Sequence, residues 1–205
     1  MKIIDITRVL GADTPVYPND GAVELTRIKT QENDGYLVHK LTTSLHACTH
    51  LDVPAHMLPD NRTVADFSAE SFIGRGVLLD VRGETELKPK PGYGNLIKGG
   101  DMVLLYTGGD EKYGKTEYFT QHPIISADLC RFFVDKKIKL LGMDTPSPDR
   151  TPFEAHKILL ESGVFILENL TNLHELIGIK SFELIALPLK IKAEASPVRA
   201  VCRVV

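Results

Sequence analysis

Three histidines and an aspartate fall within eleven residues, in the run His46-Ala47-Cys48-Thr49-His50-Leu51-Asp52-Val53-Pro54-Ala55-His56, and their spacing decides which backbone can carry them. Imidazole and carboxylate bind borderline divalent metals and move protons near neutral pH. The chain has 7 histidines, and packing alone gives no reason to gather three of them here. On an α-helix His46 and His50 would share a face, but Asp52 would lie about 200° from His50 at about 100° per residue. On a strand, positions 46, 48, 50, 52 and 56 all have one parity and point the same way. Thr49, Val53 and Pro54 also disfavour a helix interior. The expectation is an extended segment that presents His46, His50 and Asp52 together. A fully extended run would separate His46 from His50 by about 13 Å at about 3.3 Å per residue. Two ligands of one ion therefore require a bend or bulge near Ala47–Thr49, and Pro54 can turn the chain so that His56 faces back. The helical zinc-protease pattern HExxH is excluded, since position 47 is Ala and no glutamate lies between the histidines.

The rest of the chain reads as α/β. Apolar, β-branched-rich runs at Lys2–Ile6, Gly76–Val81, Met102–Thr107, Ile138–Met143, Val164–Leu167 and Glu183–Leu189 are expected strands. Helices are expected after an N-cap at Ser126 and after Thr151. There Thr151-Pro152-Phe153-Glu154 has the form of a capping box with proline at the first helical position, and Gly163 is the stop. Glu84–Lys98, rich in Lys, Pro and Gly, is expected to be a surface excursion. At 205 residues the length suits one domain spanning 1–205. Net charge is −3 with no basic block, which argues against a nucleic-acid partner. No run of about 18 apolar residues is present, so no membrane span is expected. Cys48, Cys130 and Cys202 are odd in number and widely spaced, which points to a reducing compartment. The expectation is a soluble cytoplasmic protein.

A second pairing is suggested by reach. The helix from Pro152 to Ser162 rises about 16 Å at about 1.5 Å per residue. A strand over Val164–Glu168 returns about as far, which sets Glu168 beside His156 near the helix start. A surface imidazole and a solvated acid are the competing reading. Asp144 ends a buried strand, where site residues are frequent in α/β proteins, or it caps the following turn. Tyr17 and Phe67 are aromatic candidates for a pocket wall or for core packing. Cys48 is a small buried hydrophobe or a metal neighbour. His39, His122 and His174 lie in polar or turn-like contexts and are expected at the surface.

The histidine run resembles the signature HxGTHxDxPxH of the cyclase family, which includes bacterial kynurenine formamidases and isatin hydrolases. It departs at one defined position, where the family glycine is Cys48. Asp13-Thr14-Pro15-Val16-Tyr17-Pro18 is similar to the family's TPxYP turn, and Leu104-Leu105-Tyr106-Thr107-Gly108 to its strand ending in TG. Gly142-Met143-Asp144-Thr145-Pro146-Ser147 is similar to its GxDxxS loop. Glu168-Asn169-Leu170 and Ser196-Pro197-Val198-Arg199 fit its ENL and SPxR elements.

The resemblance implies a mixed, barrel-like β/β/α fold, often with subunits contributing N-terminal segments to each other in a homo-oligomer, a dimer or a dimer of dimers. It implies that His46, His50 and Asp52 hold one divalent ion, and that Asp52, His156 and Glu168 hold a second. Zinc is the first choice and manganese the second, since imidazole and carboxylate suit several divalent ions. His56 then matches the catalytic base and proton shuttle, and Tyr17 is assigned to the substrate. The implied reaction is hydrolysis of N-formyl-L-kynurenine to L-kynurenine and formate. Isatin-like cyclic or aryl amides, esters and lactones are the alternative, and a metal-stabilised binding protein without turnover is the reading from a different class.

Overall fold

Strand parity organises this molecule. The computed structural model describes residues 1–59 and 61–205. The strands among them are β1 (Lys2–Asp5), β2 (Glu24–Lys29), β3 (Val38–Thr42), β4 (His50–Asp52), β5 (Ile73–Asp80), β6 (Glu86–Leu87), β7 (Met102–Tyr106), β8 (Ile124–Ile125), β9 (Leu140–Met143), β10 (Phe165–Glu168), β11 (Phe182–Pro188) and β12 (Ala195–Val204). The main sheet runs β1-β12-β11-β5-β7-β9-β10-β4, and β4 pairs again with β12, so seven strands close into a ring. The steps β5–β7, β7–β9 and β9–β10 are parallel and the remaining ring pairings are antiparallel. This is the mixed, barrel-like α/β domain that the resemblance implies.

Alternate residues of each strand face opposite ways. Met102, Leu104, Leu140, Phe165, Leu167, Leu184 and Ala200 belong to one buried cluster, fed by strands all round the ring. Val103, Leu105, Leu141, Met143 and Ile166 face the other way and pack with Leu129, Phe133, Leu159 and Leu160 of the two longer helices. Strands β7, β9 and β10 are buried along their whole length, which explains their continuous apolar sequence. At Gly76 an added Cβ would lie 1.9 Å from the Phe182 ring, so a side chain there would force that ring or the β5–β11 pairing to shift.

The helix Ala127–Asp135 begins as expected, with the Ser126 hydroxyl accepting the Leu129 N–H. The second helix corrects the reading of its start. It spans Glu154–Glu161, the Thr151–Pro152 peptide is cis, and Thr151 caps nothing. The Asp149 carboxylate takes the N–H of His156 instead, because an ionised carboxylate from a preceding loop is a stronger acceptor than a hydroxyl. Gly163 ends the helix at φ 75° as expected. The excursion Glu84–Lys98 is also corrected: Leu87, Tyr93 and Ile97 are buried and β6 pairs in parallel with β8. Strand β12 was not among the expected strands. The hairpin β2–β3 forms a separate two-stranded sheet. Among the described residues no helix is long and apolar enough to cross a membrane.

Candidate metal centre

The expected bend falls where it was needed. Cys48 adopts φ 62°, in the left-handed region that glycine enters most easily, and the chain straightens only for His50–Asp52. The residues Pro54–His56 then form a single 3₁₀ turn that brings His56 back, with its ring centroid 4.3 Å from that of His46 and 5.7 Å from that of His156. Parity does the rest. Leu51 enters the barrel interior, while His50 and Asp52 face the helix side beside Glu168. In the pairing of β4 with β10, His50 lies directly opposite Glu168 and Asp52 opposite Ile166.

The donor atoms converge. His46 Nδ1 is 3.1 Å from Asp52 Oδ1, and His50 Nε2 is 3.6 Å from that oxygen and 3.3 Å from Glu168 Oε2. His156 Nε2 is 3.4 Å from Glu168 Oε1. Two sets of three donor atoms lie within 4.8 Å of one another: His46, Asp52 and His56, and His50, Asp52 and Glu168. Asp52 is common to both sets. His156 joins the second through Glu168, and His56 is itself a member of the first, where the resemblance implies His50 beside His46 and Asp52.

The fit to a metal ion rests on unmet bonding capacity. His50 Nε2, both Asp52 oxygens and Glu168 Oε1 are buried and make no hydrogen bond among the described residues. A buried polar atom without a partner is costly, and several aimed at one point are the pattern of cation ligands. Imidazole and carboxylate suit zinc and similar divalent ions. Cys48 contributes no donor to either set; its Sγ points at the Arg8 carbonyl, 3.3 Å away, and burial raises its pKa.

Protonation follows the carboxylates. Burial alone would lower His46, yet the Asp52 carboxylate 3.1 Å away, helped by Glu168 and Glu194, raises it to about 9. Burial likewise opposes protonation of His156, but Asp149 and Glu168 carry it to about 10. His50 is raised against its burial by Asp52 and Glu168. Burial would raise both acids, yet the facing imidazoles hold Asp52 and Glu168 below the usual carboxylate range. His56 alone of the four moves down, because burial and the neighbouring His46 and His156 outweigh the acids.

Above this cluster lies a cavity of about 210 Å³. Tyr17, Phe119, Phe153 and Met57 wall it, and Tyr17 meets Phe119 edge to face at 5.9 Å. Phe67 instead packs on Phe165 in the barrel core. Asp144 accepts from Thr107 N–H, Thr107 Oγ1 and Gly108 N–H, so it ties the end of β7 to the end of β9 and does not line the cavity; burial pushes its carboxyl up to about 6. His39 and His174 are exposed as expected. His122 is not: it is 5% exposed and donates to the Asp149 carbonyl at 3.2 Å, a burial set by a loop distant in sequence. Three polar neighbours escaped the sequence reading. Glu194 lies 3.3 Å from His46 Nε2, Asn169 Nδ2 lies 3.5 Å from His50 Nδ1, and Asp149 Oδ1 lies 2.7 Å from His156 Nδ1. Asn169 stood in the ENL element but carried no assigned role, and Asp149 lies two residues past the GxDxxS loop with no spacing signal of its own.

Residues 4–150 match the family model Cyclase, described as "Putative cyclase". This chain belongs to the cyclase family. Kynurenine formamidase of Bacillus mycoides is 35% identical to this cyclase-family chain over 206 residues, covering 98% of it and 96% of the relative. That of Bacillus anthracis is 34% identical over 208 residues, covering 98% and 97%. Among solved structures, isatin hydrolase A from Labrenzia aggregata bound to benzyl benzoate superposes with a TM-score of 0.89 at 26% identity, covering 99% of this chain and 93% of that one. A "predicted metal-dependent hydrolase from Bacillus stearothermophilus" gives 0.78 at 25% identity, covering 98% and 97%.

Proposed function

We propose that this cyclase-family chain is a metal-dependent hydrolase of aryl amides, with N-formyl-L-kynurenine as the first substrate to test. The observation that carries the reading is a pair of His/Asp/Glu donor sets sharing Asp52 at the floor of an aromatic-walled cavity. The family's partition would put His46, His50 and Asp52 on one divalent ion and Asp52, His156 and Glu168 on a second. The distances divide nearly the same donors differently, grouping His56 with His46 and Asp52, and His50 with Asp52 and Glu168. Such an ion acidifies water towards neutral pH and polarises a carbonyl. His56, at the cavity side of the cluster and shifted towards its neutral form, takes the proton from the attacking water and delivers it to the leaving aryl nitrogen. Tyr17 and Phe119 hold the aryl ring and keep bulk water from its face. Water and amide are thereby converted to formate and aryl amine.

One observation favours a second reading. Among the described residues, no Lys or Arg lines the cavity, so a substrate carboxylate finds no cationic side chain of this chain there. A neutral cyclic amide such as isatin needs none. The deciding experiment is turnover by zinc- and manganese-reconstituted protein on N-formyl-L-kynurenine, isatin and simple lactones. Kynurenine release sustains the first reading, isatin opening alone the second, and no turnover with any of them removes the hydrolase proposal.

The reading extends to assembly in the cytoplasm as a homo-oligomer. The hairpin β2–β3 pairs only with itself among the described residues, and it exposes Leu25 opposite Leu41. An isolated hairpin is marginal in water, so a second copy gives it a partner. Light scattering should show at least a dimer, and Leu41→Asp should shift it towards monomer.

A further inference from the structure

We infer that Asp149 is the positioning residue of the metal centre, fixing His156 as the Nδ1–H tautomer so that Nε2 turns its lone pair towards Glu168. This rests on the metal-site reading above and adds a residue that belongs to neither donor set.

The geometry leaves little freedom. Asp149 Oδ1 lies 2.7 Å from His156 Nδ1, and Oδ2 accepts the N–H of the same residue at 3.1 Å. Both residues are buried. An ionised carboxylate only accepts hydrogen bonds, so the ring nitrogen facing it carries the hydrogen. An ion that displaces one ring proton therefore replaces the one on Nε2, which leaves that atom's lone pair free to ligate. His50 reaches the same state by another route, since its Nδ1 faces the Cys48 carbonyl at 2.9 Å. The two Nε2 atoms then approach opposite oxygens of Glu168, at 3.3 Å and 3.4 Å. One imidazole is set by backbone and the other by a side chain, so only the second can be reset by substitution.

Asp149 is itself held. Its N–H points to Ser147 Oγ at 3.4 Å, and its carbonyl accepts from His122 Nε2. Its second oxygen opens the helix Glu154–Glu161, so helix start and imidazole orientation are fixed by one carboxylate. That coupling explains why His156 presents Nε2 to the cluster from the helix's first turn.

Asp149→Asn separates the two roles. Asparagine keeps the shape and opens helices as well as aspartate does. With its single oxygen on the backbone N–H, its NH₂ faces Nδ1 and drives the ring hydrogen to Nε2. Chelator competition with zinc should show binding weakened about 10- to 100-fold, the usual effect of losing such a partner, with the unfolding midpoint near wild type. In a His156→Ala background the same substitution should add nothing. Long-range ¹H–¹⁵N correlation on zinc-loaded wild-type protein should place the His156 hydrogen on Nδ1, a measurement that decides the matter even if the variant does not fold. Zinc affinity of Asp149→Asn within threefold of wild type, an equal loss in the His156→Ala background, or a hydrogen on Nε2 would each overturn the inference. Wild-type protein that binds no zinc overturns the metal-site reading beneath it instead.

Discussion

Removing the metal should cost this protein more stability than any single contact in the site supplies. Without an ion, His50 Nε2, both Asp52 oxygens and Glu168 Oε1 are buried and unbonded, each a group whose unmet hydrogen bond costs about 1–3 kcal/mol. An ion that satisfies them binds the folded chain and not the unfolded one. At a free concentration about 1,000 times the dissociation constant, that linkage is worth about 4 kcal/mol. For a chain of this size each kcal/mol moves the midpoint by about 2–4 °C, so saturation with zinc should raise it by about 8–16 °C over chelator-treated protein. The effect should also depend on pH. His46 and His156 are raised to about 9 and about 10 in the fold from an ordinary 6.5, so they stabilise the metal-free protein fully below pH 6.5 and lose that contribution as pH rises towards those values. Zinc must displace the same protons, so its increment should grow between pH 6 and pH 8. Asp52→Asn, which neutralises the residue common to both donor sets, should abolish most of the increment. Calorimetry with and without zinc at the two pH values measures all of this. A wild-type midpoint that ignores saturating zinc, or an increment that shrinks as pH rises, would refute the reasoning.

Three further outcomes are expected. His56→Ala should retain zinc by elemental analysis yet lose about 10²–10⁴ in turnover on the substrate that the screen identifies; loss of metal with activity would make His56 a ligand. Cys48→Gly should keep metal and change unfolding free energy by less than about 1 kcal/mol, because relief at φ 62° roughly offsets the added freedom of the unfolded chain. An intense sulfur charge-transfer band in cobalt-substituted wild type would contradict that. Gly76→Ala should destabilise by about 1–3 kcal/mol in denaturant titrations, since its Cβ meets the Phe182 ring at 1.9 Å; an unchanged midpoint would show that β5 and β11 can part without cost.

What the sequence made legible was local. Parity placed His50 and Asp52 on one face, the required bend fell at Cys48, and the helix-and-return arithmetic set Glu168 beside His156. These features depend on backbone repeat lengths and turn chemistry within a few residues. Glu194 was hidden because it meets His46 only after the chain folds back across 148 residues, and Asp149, seven residues before His156, because the irregular loop between them carries no periodic signal. The Thr151 capping box failed within that same loop, where Asp149, two residues before Thr151, is the acceptor that reaches the helix start. His122 reads as a surface residue in its polar neighbourhood, and only tertiary packing buries it. Strand β12 was obscured by Pro197, which a strand tolerates at a pairing as short as the one with β4.

Strand β4 has just three residues, and both its edges are filled from the far end of the chain, by β10 and by residues 195–197 of β12. A segment so short has no seat of its own. The histidine run, synthesised early, therefore waits for the last ring strand before its donors can meet. A chain cut before Ala195 would keep every imidazole and carboxylate of the cluster and still lack the frame that aims them. Lesions along that seam should act like ligand losses although they lie away from the cavity floor. An ion bound there would then stabilise the closed ring as well as arm the site.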